Sequence, residues 1–280
     1  MQSPNFISPV LGMAAAVTWG MGDFSGGLAA RRTNVFGVVG VAYSAGVLLM
    51  VAGALLIGER IPATTSLEWA LLAGCVGGFA LSAFYAGLAM GEMGIVAPIA
   101  AVLTAAFPVL FGAWAEGMPK KIQLAGFVLA LLSIWLIAKT EGSSARPKGL
   151  ELALLSGVGF GAYLILIRKA GTTAVFWPLA VARGTSTVVV MMLGLGFGGL
   201  QFPKAKSLNL SLAAGALDAF GVALFLIAAR HGRLDVTAVL SSLYPAVTVM
   251  LAHFVLKEEL KPHQRAGMLA ALVSVALIAA

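Results

Sequence analysis

The 280-residue sequence contains one cysteine, three histidines and few charged residues. A disulfide bond or a Cys-x-x-Cys redox site within one chain is excluded, because Cys75 has no second cysteine to pair with. The histidines, His231, His253 and His263, do not follow the short spacing of metal ligands. Charged residues make up only 10% of the chain, which is too few to cover the surface of a soluble domain. The sequence therefore predicts neither a soluble domain nor a metal site.

Apolar residues, by contrast, are abundant and occur in long runs. Hydrophobic residues make up 60% of the sequence, and the mean hydropathy is +0.99. The runs have the length of about 20 residues with which a helix crosses a hydrocarbon core of about 30 Å. We predict ten transmembrane helices, at Ser8–Ala30, Phe36–Ile57, Leu67–Met90, Ile95–Trp114, Ile122–Ala138, Leu150–Ile167, Pro178–Leu200, Leu208–Ala229, Val236–Leu256 and Arg265–Ala280. The predicted fold class is an all-α polytopic membrane protein without a cleaved signal peptide.

Basic residues outnumber acidic ones, with 18 Lys and Arg against 11 Asp and Glu and a net charge of +7. They are spread over nearly every short connection between the apolar runs, rather than gathered into one patch. Lysine and arginine commonly flank membrane spans in this way. We therefore predict a lipid bilayer, and no nucleic acid, as the partner. No connection is long enough to hold a soluble domain, so the function is expected within the membrane region.

An internal repeat divides the chain into two halves. Leu67 and Leu208 lie 141 positions apart, and the same shift aligns the chain with itself from about Leu11 to Lys139 without a gap. We predict two five-helix units, residues 1–141 and 142–280. Because five is an odd number of spans, the second unit is inverted in the membrane relative to the first. Such an inverted-topology repeat is typical of transporters that open alternately to two sides.

Three short motifs recur at equivalent places in the two halves. The first is an aromatic-Gly step in the first helix of each half, Trp19-Gly20 and Phe160-Gly161. The second is an acidic end of the fourth and ninth helices, Glu116 and Glu258-Glu259. The third is Gln-x-Ala-Gly at the start of the fifth and tenth helices, Gln123–Gly126 and Gln264–Gly267. With these motifs, the chain resembles the ten-helix EamA-type exporters of the drug/metabolite transporter superfamily.

This resemblance implies a helical bundle with a central cavity and the secondary export of small organic metabolites, with amino acids as one candidate class. It also implies a multi-pass protein of the cell (inner) membrane with cytoplasmic termini, no enzymatic activity and no cofactor. The basic residues do not by themselves support this orientation, because slightly more of them lie on the side opposite the termini.

The segment TWGMGDFSGG, Thr18–Gly27, allows three interpretations. A dinucleotide-binding loop requires G-x-G-x-x-G between a strand and a helix, whereas here Ser25 occupies the third glycine position inside a predicted helix. An intramembrane aspartyl protease would use GMGD as half of a catalytic dyad, with Asp218 as the second carboxylate. In the third interpretation, Asp23 lines a transport path. The protease remains the alternative function, beside a membrane scaffold that transports nothing.

Three ionisable residues fall inside predicted spans: Asp23, Arg183 and Asp218. Each costs at least about 2.5–3.5 kcal/mol in lipid, so each is expected to face protein or water and is a candidate for a functional role. Arg183 and Asp218 lie on consecutive antiparallel predicted helices. Three alternatives remain open for them: they form a structural ion pair, they act on the substrate or in gating, or they are placed independently of each other. Asp23 either lines the path, with protons as a candidate coupling ion, or is a packing or interfacial carboxylate near Arg31 or Arg32.

Amphipathic side chains in the predicted spans are candidates for the wall of the path. They combine an apolar part with a hydroxyl or ring N–H group that needs a partner when buried: Trp19, Tyr85, Thr104, Tyr163, Ser241, Ser242 and Tyr244. Core filling or a position in the aromatic belt is the alternative for each. Pro98, Pro108 and Pro245 are expected to interrupt the fourth and ninth helices, which are equivalent in the repeat, and to form either a hinge or a packing kink.

Overall fold

A computed structural model describes residues 7–116, 121–138, 147–171, 173–197, 200–231, 241 and 243–279. Along these residues the helices are α1 (Ile7–Ala30), α2 (Val35–Leu56), α3 (Thr64–Met90), α4 (Met93–Glu116), α5 (Lys121–Ala138), α6 (Leu150–Ala170), α7 (Phe176–Phe197), α8 (Ala205–His231), α9 (Tyr244–Leu251) and α10 (Pro262–Ala279). α9 continues as a π-helical turn, Ala252–Leu256. No strand occurs among the described residues, and the predicted all-α fold is confirmed.

The helix ends agree with the predicted spans to within three residues wherever the structure describes them. The predicted start of the ninth span, Val236, lies outside the described residues. Within the part of the chain that the structure describes, five helices, α2, α3, α6, α7 and α8, are long and apolar enough to cross a bilayer by themselves, and shorter apolar stretches lie in α4, α5 and α9. The turn between α1 and α2 ends at Asn34, whose side-chain oxygen accepts hydrogen bonds from the backbone N–H groups of Phe36 and Gly37 at 3.0 and 3.3 Å. Asn34 thereby caps the first turn of α2.

Helix contacts follow an approximate two-fold relation between the halves. α1 packs against α8 as its counterpart α6 packs against α3, and α4 packs against α6 as α9 packs against α1. α3 packs against α7 as α8 packs against α2, while α2 contacts α7 and α5 contacts α10. All of these contacts join one half of the chain to the other, so the two five-helix units are interleaved. A 5+5 inverted repeat accounts for this pattern, because it relates each helix to the one five places further on.

Aromatic side chains follow the same relation. The ring centres of Trp19 on α1 and Phe225 on α8 lie 5.8 Å apart. The shift of 141 positions converts this pair into Phe160 on α6 and Phe84 on α3, whose ring centres lie 5.5 Å apart. Residues that are equivalent in the sequence repeat therefore make equivalent contacts between the halves.

Glycines allow helices from opposite halves to pack closely. A Cβ atom at Gly157 on α6 would lie 2.7 Å from the carbonyl oxygen of Ala100 on α4. One at Gly22 on α1 would lie 3.3 Å from the carbonyl oxygen of Ala214 on α8. Small residues are the usual means by which membrane helices approach each other, since lipid provides no hydrophobic force to bring them together. This packing brings polar side chains from α1, α2, α7 and α8 close to one another.

Candidate functional site

Arg183 on α7 and Asp218 on α8 form a salt bridge within the helical bundle. Nη1 of Arg183 lies 2.5 Å from Oδ2 of Asp218, and the two side chains are 6% and 30% exposed. The unequal exposure means that the guanidinium is enclosed while one side of the carboxylate remains open. Two charges removed from water stabilise each other only when they are well paired, and each is costly without its partner.

Residues of α2 hold the Arg183 side chain in place. Its guanidinium carbon lies 5.3 Å from the ring centre of Tyr43, within the range of a cation–π contact. Gly46 leaves room for the side chain, because a Cβ atom there would lie 2.7 Å from Cδ of Arg183. Nε of Arg183 is buried and has no hydrogen-bond partner among the described residues. Arg183 is therefore surrounded by protein on α2 and α8.

Tyr43 and Ser186 extend this polar cluster to α3. The Tyr43 hydroxyl donates a hydrogen bond to the carbonyl oxygen of Gly77 at 2.9 Å, and the Ser186 hydroxyl donates one to that of Gly74 at 2.7 Å. Sequence reasoning missed both residues. The available signal was a polar side chain inside an apolar run, and this signal is weak because many such hydroxyls bond only within their own helix.

Asp23 on α1 lies close enough to Asp218 for the two carboxylates to repel each other. Its side chain is partly exposed, and no hydrogen bond or salt bridge reaches its carboxylate from the residues that the structure describes. Arg31, one neighbour considered from the sequence, pairs with Glu258 instead. Asp23 is thus a carboxylate without a counter-ion beside a second carboxylate that has one.

Three aromatic side chains lie near the stretch of α1 that carries Asp23. Trp19 lies one helical turn before it, with its ring centre 6.3 Å from that of Tyr244 on α9. Tyr85 on α3 is 1% exposed, and its ring packs against Gly26, one turn after Asp23. Tyr85 and Tyr244 both interact electrostatically with Asp23. We call this group (Trp19, Asp23, Tyr85 and Tyr244) the Asp23 subsite.

Tyr163 on α6 lies on the Arg183 side of the cluster. A Cβ atom at Gly77 would lie 3.1 Å from Cδ2 of Tyr163, and Tyr163 interacts electrostatically with Arg183 and Asp218. The shift of 141 positions relates Tyr163 to Gly22 and Asp218 to Gly77. Gly22 packs beside Asp218, since a Cβ atom there would lie 3.5 Å from the backbone nitrogen of Asp218. The two halves therefore place different side chains at equivalent positions.

The remaining wall candidates belong to α4 and to the chain before α9. The Thr104 hydroxyl donates a hydrogen bond to the carbonyl oxygen of Ala100 at 2.8 Å and also interacts with the side chain of Tyr244. Ser241 is 3% exposed. Ser242 lies outside the described residues. Thr104 thus joins α4 to the wall of the Asp23 subsite.

The prolines do not interrupt α4 as the sequence led us to expect. α4 remains helical across both Pro98 and Pro108, as a membrane helix can when neighbouring groups satisfy the backbone that proline leaves unpaired. Pro245 lies in the first turn of the described part of α9, where proline is well tolerated, and residues 232–240 before it lie outside the described residues. The shift of 141 positions relates Pro245 to Thr104 rather than to a proline of α4. The irregular element of α9 is its π-helical turn, a feature frequent at functional sites.

A second charge pair lies at the helix ends. Arg31, just after α1, forms a salt bridge with Glu258, with Nη2 2.8 Å from Oε1. Arg31 also donates hydrogen bonds from Nε to the carbonyl oxygen of Leu88 at 3.0 Å and from Nη2 to that of Gly91 at 2.8 Å. Oε2 of Glu258 accepts one from the backbone N–H of Gly94 at 3.4 Å. We call these five residues the latch; they join α1, α3, α4 and the chain after α9 at the membrane face where α1 ends.

The described acidic residues of the bundle bear on the metal-site and aspartyl protease interpretations. Among the described residues, no three His, Cys, Asp or Glu side chains come together in a way that could hold a metal ion. Asp218 is paired with Arg183, whereas an aspartyl protease dyad requires its two carboxylates to share a proton. The cluster is better suited to binding a charged or polar group.

Comparisons with known proteins bear on the whole chain. The sequence pattern of the EamA-like transporter family matches residues 7–139 and again residues 147–280. No curated protein matches the sequence. A solved structure titled "Crystal structure of protein" matches with a TM-score of 0.65 and 16% sequence identity, over 97% of this chain and 97% of that chain. At this identity the structural match shows the fold alone.

Proposed function

The chain belongs to the EamA-like transporter family, and we propose that it is a secondary transporter that exports small organic metabolites by alternating access. Amino acids are among the candidate solutes. The observation that carries the proposal is the cluster of Asp23, Arg183 and Asp218 with its aromatic neighbours. It lies where helices from the two halves meet, which is where inverted-repeat transporters bind their solutes.

The interleaved helices support alternating access. In an inverted repeat, exchanging the conformations of the two units converts a protein open to one side into a protein open to the other. We take residues 1–141 and 142–280 as these units. The unlike residues at equivalent positions, such as Asp23 and Leu164, mean that the two units share a scaffold while the solute contacts are asymmetric.

The latch supports closure at one membrane face. Its five residues tie the end of α1 to α3, α4 and the chain after α9 through one salt bridge and three further hydrogen bonds. Opening this face requires the Arg31–Glu258 contact to separate. The side chains of Arg31 and Glu258 keep 24% and 13% exposure, so water can solvate both charges when the contact separates.

Asp23 is the residue we propose for energy coupling, with the proton as the candidate ion. A carboxylate within a membrane protein that lacks a counter-ion is a site where a proton can bind and leave during a transport cycle. Asp218 is less suited to this role because Arg183 neutralises it. We further propose that the protein lies in the cell (inner) membrane with both termini in the cytoplasm.

Solute counterflow in proteoliposomes tests the proposal. Purified protein is reconstituted with a panel of unlabelled solutes inside (amino acids, organic amines, carboxylates and neutral metabolites), and the same labelled solute is added outside. We expect transient accumulation of at least one solute above protein-free liposomes. If a correctly folded preparation exchanges none of the panel, a scaffold without transport is favoured. Cleavage of membrane-embedded peptides that depends on both Asp23 and Asp218 would indicate the protease.

A further inference from the structure

The charges of the cluster do not balance among the described residues. Asp23 and Asp218 contribute two negative charges, and Arg183 contributes one positive charge that is bound to Asp218. With both carboxylates ionised, the cluster carries one net negative charge at Asp23. A charge inside a membrane protein is normally neutralised, so Asp23 takes as its partner either a proton, as in the proposed coupling, or a positively charged group of the solute.

Arg183 is not available to bind an anionic group of a solute. Its side chain is 6% exposed, its guanidinium carbon lies 5.3 Å from the centre of the Tyr43 ring, and the backbone at Gly46 packs against its Cδ. The buried Nε atom has no accessible surface through which a ligand could reach it. A carboxylate solute entering the cluster would therefore meet Asp23 and the open side of Asp218, both of which repel it.

Asp23 has the surroundings of a site for an organic cation. Trp19, one helical turn before Asp23, has its ring centre 6.3 Å from that of Tyr244, and the Tyr85 ring packs against Gly26, one turn after Asp23. Three electron-rich rings therefore lie along the stretch of α1 that carries the carboxylate. Aromatic rings attract cations through their faces, and such groups of rings recognise ammonium ligands in many proteins. The shift of 141 positions relates Tyr85 to Leu226 and Asp23 to Leu164, so the repeated scaffold does not require this arrangement for packing.

We propose that the Asp23 subsite binds the ammonium group of an organic amine. This inference rests on the proposed transport function and specifies the solute that the site accepts. The ammonium group pairs with the Asp23 carboxylate, and Trp19, Tyr85 and Tyr244 contact the adjacent apolar part. Arg183 holds Asp218 in position and does not contact the solute.

Binding of three probes of similar size tests the charge preference directly. The probes are 2-phenylethylamine, 2-phenylethanol and 3-phenylpropionate, which are cationic, neutral and anionic at neutral pH. Isothermal titration of the detergent-purified full-length protein should give the tightest binding for the amine and the weakest for the acid. Equal binding of the amine and the alcohol, preference for the acid, or no binding of the amine overturns the proposal, and this comparison needs no variant.

Variants then locate the binding to Asp23. Asp23→Asn keeps the shape of the side chain and removes its charge, so amine affinity should fall roughly 10- to 100-fold, the range for a hydrogen bond to a charged group. Asp23→Glu should retain more affinity than Asp23→Asn. Glu68→Gln removes a carboxylate from an exposed position near the start of α3 and should leave affinity unchanged. Wild-type affinity in a folded Asp23→Asn protein would show that the amine binds elsewhere.

A flux measurement separates failure of this inference from failure of the transport function. Amine binding that depends on Asp23, without counterflow of labelled 2-phenylethylamine, supports the subsite and removes the transport proposal. Counterflow of neutral or anionic solutes without amine binding leaves the transport proposal intact and removes the subsite.

Discussion

At the residue scale, the interior charges have different roles. Arg183 and Asp218 neutralise each other, whereas Asp23 has no counter-ion among the described residues. A substitution in the pair should therefore affect folding first, and a substitution of Asp23 should affect transport first. Two predictions follow from this difference.

The first concerns the coupling of Arg183 and Asp218. Removing one partner leaves an uncompensated charge, at a cost on the order of 3–5 kcal/mol when the pair is fully buried. Arg183→Ala and Asp218→Ala should each lower the yield of folded protein in detergent by more than the double substitution does. Size-exclusion chromatography of the three variants measures this. Losses that simply add in the double variant would show that the two residues are not coupled.

The second concerns Asp23 and energy coupling. Asp23→Asn should reduce export driven by a proton gradient on the order of tenfold or more, because the side chain can no longer exchange a proton. Expression should stay near normal, and exchange at saturating solute should persist, since exchange requires no change of protonation. Glu68→Gln is the matched control. Export by Asp23→Asn at the wild-type rate would contradict the role of Asp23.

The sequence identified Asp23, Arg183 and Asp218 because charge is conspicuous in an apolar run. It did not identify the latch, since Arg31 and Glu258 are separated by 227 positions and meet only through the packing of α1 and α9. Tyr43 and Ser186 were missed for the same reason: their importance depends on which carbonyl oxygen of α3 lies opposite each of them.

At the element scale, apolar run length predicted the helices well. The expectation that Pro98 and Pro108 interrupt α4 was wrong, because a membrane helix can continue through proline when its neighbours accommodate the lost hydrogen bond. The π-helical turn at the end of α9 had no signal in the sequence. This turn leads directly to Glu258, so it positions one partner of the latch.

The latch gives a prediction at this scale. Glu258→Gln removes the charge that pairs with Arg31, so the membrane face where α1 ends should open more often. Met93, at the start of α4, is 0% exposed, and a Met93→Cys substitution in a Cys75→Ala background reports such opening. We expect Glu258→Gln to increase the labelling rate of this cysteine by a membrane-impermeant maleimide several-fold or more, because a pair that is only 24% and 13% exposed contributes at least the roughly 0.2–1 kcal/mol of a fully exposed salt bridge.

The adjacent Glu259 provides the matched control for this measurement. Its side chain is exposed, and Glu259→Gln changes the net charge of the same segment by the same amount. Labelling should remain at the background rate in Glu259→Gln. An equal increase in both variants would mean that general charge, rather than the contact with Arg31, determines access.

At the scale of the whole molecule, the repeat of 141 positions predicted two equivalent halves and, because each holds an odd number of spans, their inverted relation. It could not show that the halves interleave, because self-alignment relates equivalent helices but does not say which helices touch. Orientation in the membrane has no structural signal either. We expect a cysteine at Ser144, in the connection between the fifth and sixth predicted spans, to react with an impermeant maleimide added to intact cells. A cysteine at Ser3 should react only after lysis, and the reverse pattern would place the termini outside.

Reversible locking of the latch tests alternating access most directly. In a Cys75→Ala background, cysteines replace Arg31 and Glu258 and are joined by a reducible bifunctional thiol reagent, and counterflow of a transported solute is measured before and after. We predict that cross-linking stops counterflow and that reduction restores it, while the single-cysteine variants are unaffected by the reagent. Counterflow that continues at the same rate in fully cross-linked protein would contradict alternating access through this face.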